Sequence, residues 1–141
     1  MIANERQYQQ TRKKLADLDA LSAAVDSGTA GDDGFRDLQA AGLASQSRDL
    51  CDELAEYEEL RAGNTTTIES SSLAGLADAL IKARIARGWT QADLASALGV
   101  AEQQVQRYEA SRYVGASFGR LCDIADALHI SVHETLVLHA G

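Results

Sequence analysis

The sequence predicts an all-α protein in which a two-helix hairpin precedes a bundle of five shorter helices. Leu and Ala dominate a chain of 141 residues that contains no proline and only 5% aromatic residues, a composition that favours helices. Apolar residues recur at three- and four-residue spacing in several segments. Gly- and Ser-rich stretches at residues 27–34 and 62–72 separate these segments. The length allows one or two small domains.

Residues 1–61 contain the two long helices, predicted at residues 4–25 and 35–61. Each has a narrow apolar stripe typical of a coiled coil. The stripes consist of Tyr8, Thr11, Leu15, Leu18 and Val25 in the first helix, and Leu43, Leu50, Leu54 and Tyr57 in the second. Because neither helix can bury its stripe alone, we expect an antiparallel hairpin or a pair of arms that dimerises.

Residues 62–72 are predicted to be a linker, and residues 73–141 a second domain. Its first helix covers residues 73–87 and ends at Gly88. Thr90 and Asp93 form a capping box that opens the second helix, and Gly99 ends it. Helices three and four are expected at residues 101–110 and 117–128. Ser131 and Glu134 form a second capping box, which predicts helix five.

The third of these helices has an unusual outward face. Val105 and Tyr108 are its inward positions, and the outward face carries Glu102, Gln103, Gln104, Gln106 and Arg107. Glutamine can form two hydrogen bonds with adenine, and arginine can do the same with guanine. A short helix with these residues, held across a tight turn, therefore indicates contact with base edges in the major groove of DNA.

The run TQADLASALGV, the helix that follows it and the ending RYE resemble the helix-turn-helix of the Xre/Cro-type phage-repressor superfamily. The resemblance covers about residues 73–138 and implies a five-helix DNA-binding domain. Ala101 departs from the pattern, since the family has Ser or Thr as the N-cap there, and we expect a helix weaker by about 1 kcal/mol. Glu102 is also unusual, because a carboxylate near phosphates is costly unless it accepts a hydrogen bond from cytosine.

The resemblance also implies roles for individual residues. The implied DNA-contact set is Gln91, Glu102, Gln103, Gln104, Arg107, Arg112 and Tyr113. Within it, Gln91 bonds a phosphate at a helix N-terminus, while Arg112 and Tyr113 lie along the phosphate backbone. The family's ion pair between the first and third helices falls on Arg84 and Glu109, which are therefore expected to be structural.

Charge and composition exclude several other classes of protein. The net charge of −8 is uneven, since residues 1–72 hold 7 basic and 14 acidic residues and residues 73–141 hold 6 basic and 7 acidic. DNA affinity must therefore come from a local basic face. The sequence has no long apolar run or signal peptide, so we expect a cytoplasmic protein without a membrane span. It has no phosphate loop, metal-spaced cluster or nucleophile motif, so we expect no enzyme activity, cofactor or metal.

These observations predict a transcriptional regulator, most simply a repressor of its own operon that binds a palindromic operator as a homodimer. The segments NERQYQQT, ELAEYEELRAG and ALIKARIARGWTQ also resemble a bacterial subfamily with a helical N-terminal extension, which includes HigA-type antitoxins. This second resemblance implies an alternative, in which the N-terminal helices mask a toxin and the helix-turn-helix provides autoregulation. A third alternative is a coiled-coil adaptor that has lost DNA binding.

Overall fold

The computed structural model describes residues 1–28 and 33–139, and within them it contains six α-helices and no β-strand. The all-α prediction is confirmed. The chain separates into two compact units, Met1–Thr65 and Thr66–Gly141, which we call the hairpin unit and the second unit. The division falls inside the segment that the sequence predicts as a linker.

The hairpin unit consists of two long helices, α1 (Glu5–Asp26) and α2 (Asp33–Arg61), packed against each other. The side chain of Asn4 caps α1 by accepting a hydrogen bond from the Gln7 backbone at 2.9 Å. Helix α2 begins two residues before the predicted start, and the predicted loop at residues 27–34 includes residues 29–32, which lie outside the described residues. The predicted stripe residues are buried or half-buried, and the fully buried positions gather at one end: Ile2, Ala3, Leu54, Tyr57 and Leu60.

Polar contacts fix the pairing of the two helices. Arg61 forms an ion pair with Glu5 at 2.6 Å, and the Tyr8 hydroxyl donates a hydrogen bond to Glu58. The Tyr8 ring also stacks on Tyr57, with 5.2 Å between centroids. Since residue numbers rise along α1 as those of their partners fall along α2, these contacts belong to a single antiparallel register.

The second unit contains α3 (Leu73–Ala86), α4 (Gln91–Leu98), α5 (Glu102–Ala110) and α6 (Phe118–Ala127). Side chains of Ser72 and Ser117 cap α3 and α6 by accepting hydrogen bonds from backbone amides. Gly88 and Gly99 adopt the left-handed conformation, with φ of 70° and 66°, where α3 and α4 end. The buried apolar core consists of Leu80, Ile81, Ala83, Ile85, Leu94, Ala95, Val105, Tyr113, Ile124 and Leu128.

The prediction of a fifth helix in this unit is wrong. Residues 130–139 form no helix, although the predicted capping residues Ser131 and Glu134 lie there. Beyond the half-buried Ile130, the apolar side chains of this segment are exposed, reaching 95% for Leu138. A helix of fewer than about 12 residues is marginal in water unless tertiary packing stabilises it. A capping pattern alone therefore does not stabilise a helix in this segment.

Candidate nucleic-acid interface

Helices α4 and α5 are joined by a tight turn, and local contacts define where α4 begins and where it ends. At the start of α4 the Thr90 hydroxyl accepts from the Asp93 amide at 3.1 Å, and Asp93 accepts from the Thr90 amide at 2.8 Å. The hydrogen bonds from the Thr90 side chain and then its backbone lower the pKa of Asp93. At the other end Gly99 stops α4, and α5 begins after Ala101, which makes no side-chain cap.

A buried ion pair holds α5 against α3. Nε of Arg84 donates to Oε1 of Glu109 at 2.6 Å, and Nη2 donates to Oε2 at 2.8 Å. Both side chains are almost fully buried, with exposed fractions of 2% and 1%. This two-bond geometry suits a planar guanidinium and a carboxylate, and it restricts rotation as well as separation of the two groups.

Two further hydrogen bonds extend this buried cluster to α4. Nη1 of Arg84 donates to the backbone carbonyl oxygen of Trp89 at 2.7 Å, just before the α4 cap. The amide of Gln91, the first residue of α4, donates to Oε2 of Glu109 at 2.8 Å. Buried side chains thus link α3, α4 and α5, so the orientation of α5 is set by the core of the second unit.

Gln91 itself is buried, with 8% of its surface exposed. Its side-chain amide donates to the buried carboxylate of Glu109. The predicted phosphate contact of Gln91 therefore stays a prediction, and its buried bond adds a structural role that the sequence pattern did not indicate.

The outward face of α5 divides into engaged and unengaged side chains. Gln104 donates to the Tyr108 hydroxyl at 2.8 Å, and Gln106 donates to Oε1 of Glu102 at 3.0 Å. The side chains of Gln103 and Arg107 are exposed and form no hydrogen bond or ion pair with other residues that the structure describes. Of the predicted base-contacting residues, Gln103 and Arg107 are therefore the two whose side-chain donors are all unengaged by described residues.

The loop after α5 places its two predicted phosphate contacts differently. Arg112 and Tyr113 both have positive φ, 50° and 58°. The Arg112 side chain is largely exposed and forms an ion pair with Asp78. Tyr113 is only 5% exposed and stacks on Tyr108, so its side chain belongs to the core and we do not retain it as a phosphate contact.

The hydroxyl of Tyr113 has no hydrogen-bond partner among the described residues. Burial, and then the negative charge of Glu109, raise the pKa of this phenol.

The sequence alone could not separate Tyr113 from Arg112, since both follow α5 directly. The side-chain hydrogen bonds of Gln104 and Gln106 were weakly indicated by the sequence, because each partner lies four residues away along the same helix.

Comparison with known proteins agrees with this geometry. Residues 80–134 match the family model described as helix-turn-helix, and the match includes the end of α3 and all of α4, α5 and α6. Such a domain implies DNA binding and a role in regulating transcription. No curated protein and no solved structure matches the chain.

None of the described helices is long and apolar enough to span a membrane. Within residues 1–28 and 33–139, no three His, Cys, Asp or Glu side chains are grouped so that they could bind a metal ion.

Proposed function

We propose that the protein is a transcriptional regulator that binds DNA sequence-specifically, with α5 in the major groove. The observation that carries this proposal is the combination of a rigidly held helix with unengaged reading groups. The Arg84–Glu109 pair fixes α5 in the core, while Gln103 and Arg107 project exposed donors from it. Arginine can donate twice to guanine, and glutamine can pair with adenine.

Phosphate contacts would come from a small number of groups around α4 and the loop after α5. We propose Gln91, at the N-terminus of α4, and Arg112, in the loop after α5, for this role. The segment of residues 73–141 carries 6 basic and 7 acidic residues. Because so few cations are present, we expect affinity to fall with salt less steeply than in a strongly basic DNA-binding protein.

The regulator is further proposed to be a homodimer that represses its own operon from a palindromic operator. One α5 helix covers only a few base pairs, so a second copy would supply the remaining contacts. The hairpin unit supports self-association, because Leu21, Phe35 and Leu38 are more than half exposed on it. Exposed apolar surface on both helices of the hairpin suits burial against a second copy of the chain.

Footprinting of the intergenic DNA upstream of the gene tests the proposal as a whole. The full chain should protect two segments related by a dyad, with centres about 34–36 Å, or one helical turn, apart or at a multiple of this spacing. An excess of unrelated DNA should not remove the protection. Absence of protection on this DNA would contradict autoregulation, and equal competition by unrelated DNA would contradict specificity.

Sedimentation of the full chain and of a truncation that starts at Ser72 tests the role of the hairpin. The truncation retains the whole buried core of the second unit, so it should fold, and fluorescence of Trp89 checks this. We expect the full chain to be dimeric and the truncation to be more monomeric. Its affinity for a complete operator should also be lower, because the two half-site contacts are no longer linked. If the full chain were a monomer, the hairpin would not mediate dimerisation.

An antitoxin is the second candidate, and one observation favours it. The exposed side of α2 carries several acidic residues, among them Asp49, Asp52 and Glu59, which suit a basic partner protein. The adjacent reading frame is the discriminating observation. A small basic protein encoded there, which co-purifies with the full chain and is released by high salt, would favour the antitoxin. The adaptor alternative would require that the full chain not bind DNA at all.

A further inference from the structure

Helix α5 begins with a carboxylate on the face that the proposed function turns toward DNA. Glu102 is the first residue of the helix and is exposed. No described residue forms an ion pair with it, so its charge is not neutralised within the chain. Close to phosphates such a charge weakens binding to every sequence equally. A benefit must therefore come from the bases.

The hydrogen bond to Gln106 gives this carboxylate a defined orientation. Nε2 of Gln106 donates to Oε1 of Glu102 at 3.0 Å, one helical turn away. This bond occupies one carboxylate oxygen and leaves Oε2 able to accept from another donor. Since an ionised carboxylate has no hydrogen to donate, the free oxygen can bind only a hydrogen-bond donor.

Base edges differ sharply in what they offer such an acceptor. In the major groove, guanine presents two acceptors and thymine presents an acceptor and a methyl group, so both would repel Glu102. Adenine offers an amine, but its N7 acceptor lies beside it. Cytosine presents an amine as its only polar group in this groove. Cytosine is therefore the base that suits an isolated carboxylate oxygen best.

We infer that Glu102 selects cytosine at one base pair of each half-site, and that Gln106 acts as the positioning residue that holds the carboxylate for this contact. The inference rests on the proposed function, since it needs α5 in the major groove. It also explains what the uncompensated charge contributes. Repulsion by the acceptors of the other bases lowers binding to wrong sequences, whereas repulsion by phosphates lowers binding to all sequences alike.

Selection of bound duplexes from a randomised DNA library, followed by sequencing, tests this inference with the full chain. The wild type should enrich a dyad-symmetric motif with one cytosine position in each half, preferred about tenfold over the other bases. Glu102→Gln should change the preference at this position to adenine and leave the other positions alone, because a glutamine amide can donate to N7 and accept from the N6 amine. Glu102→Ala should remove the preference there.

Two further variants provide controls. Glu59→Gln removes the same charge from α2, and its motif should equal that of the wild type. Gln106→Ala should reduce the cytosine preference at the same position without changing the melting temperature, whereas a merely structural role for Gln106 would change stability and not base preference.

The possible failures of the two proposals differ. If the wild type enriches a motif that Glu102→Gln and Glu102→Ala leave unchanged, or a motif without the cytosine position, the inference about Glu102 is overturned and the DNA-binding proposal stands. If the wild type enriches no motif, sequence-specific binding itself fails, and the inference fails with it.

Discussion

The hairpin unit and the second unit contain similar kinds of contact at very different depths. In the hairpin, the ion pair between Arg61 and Glu5 has side chains that are 53% and 55% exposed. In the second unit, the pair between Arg84 and Glu109 is 2% and 1% exposed. Two helices expose much of their surface to water, whereas α3 to α6 enclose a core. Because the two ion pairs have the same separation of 2.6 Å, we expect burial to decide how much each contributes to stability.

The largest expected effect comes from breaking the buried pair. Glu109→Ala leaves the Arg84 guanidinium buried without its carboxylate, which we expect to cost about 3–5 kcal/mol. Urea denaturation followed by fluorescence of Trp89, the only tryptophan, reports on the second unit. The matched variant Glu5→Ala breaks the exposed pair and should cost about 0–1 kcal/mol, measured by hydrogen exchange of α1 and α2 amides. Similar losses for the two variants would contradict the comparison.

A second test uses Tyr113 in the second unit and Tyr8 in the hairpin, which also differ in burial. Burial raises the pKa of Tyr113, whereas the hydrogen bond to Glu58 raises the pKa of the half-buried Tyr8. A group whose pKa is higher in the folded than in the unfolded state contributes its full stabilisation below the unfolded-state pKa, which is near 10 for tyrosine. This contribution is lost as pH rises toward the folded-state pKa. For Tyr113 the loss should approach about 1.4 kcal/mol per pH unit above 10.

Tyr113→Phe should therefore remove most of the alkaline loss between pH 9 and 11, and Tyr8→Phe should leave it nearly unchanged. Because the Tyr113 hydroxyl has no partner among the described residues, its removal should not destabilise the protein at pH 7. Thermal melts of the three proteins across this pH range supply the measurement. An alkaline loss that persists in Tyr113→Phe would mean that another group titrates.

The stabilisation that a helix cap provides is expected not to depend on the difference in burial between the two units, because cap hydrogen bonds are local. Asn4 caps α1 in the hairpin and Thr90 caps α4 in the second unit, and substitution of either by Ala should cost about 1 kcal/mol. Ala101 has no side-chain cap, so Ala101→Ser should add stability, by about 0.5 kcal/mol or more. Denaturation of each variant checks these values, and a loss confined to one of the two units would contradict them.

The Thr90 cap also predicts a small acid effect. The pKa of Asp93 is lower in the folded state than in the unfolded state. Its contribution to the free energy of unfolding is therefore present above the unfolded-state pKa, near 3.9, and is lost as pH falls through the folded-state pKa. Hydrogen exchange of the first α4 amides should therefore quicken in acid, and Asp93→Asn should remove this dependence.

Local signals explain which parts of the fold were predictable. The capping box at Thr90 and Asp93, the left-handed Gly99 and the cap at Ser117 depend on residues within a few positions, so the sequence indicated the bounds of α4 and α6 to within a residue or two. Helix five was wrong because residues 130–139 have an N-terminal signal but no buried face to stabilise a helix.

The candidate site was predictable to the level of the helix and not of the individual side chain. The polar face of α5 follows from spacing alone. Whether Gln104 is held by Tyr108, or Tyr113 is buried, depends on contacts between side chains that the spacing does not determine. The bond between Gln91 and Glu109 joins residues 18 positions apart, and no local pattern predicts such a contact.

The most direct test of the central proposal, that α5 reads base edges, compares Arg107→Ala with the wild type on the selected operator and on unrelated DNA, at the same salt concentration. Full-length protein should be used, with Arg48→Ala on α2 as the control for loss of one exposed arginine. We expect Arg107→Ala to lose about 1–3 kcal/mol of binding free energy on the operator, little on unrelated DNA, and preference at one base pair. Equal losses on the two DNAs would make Arg107 a phosphate contact and would contradict the proposal.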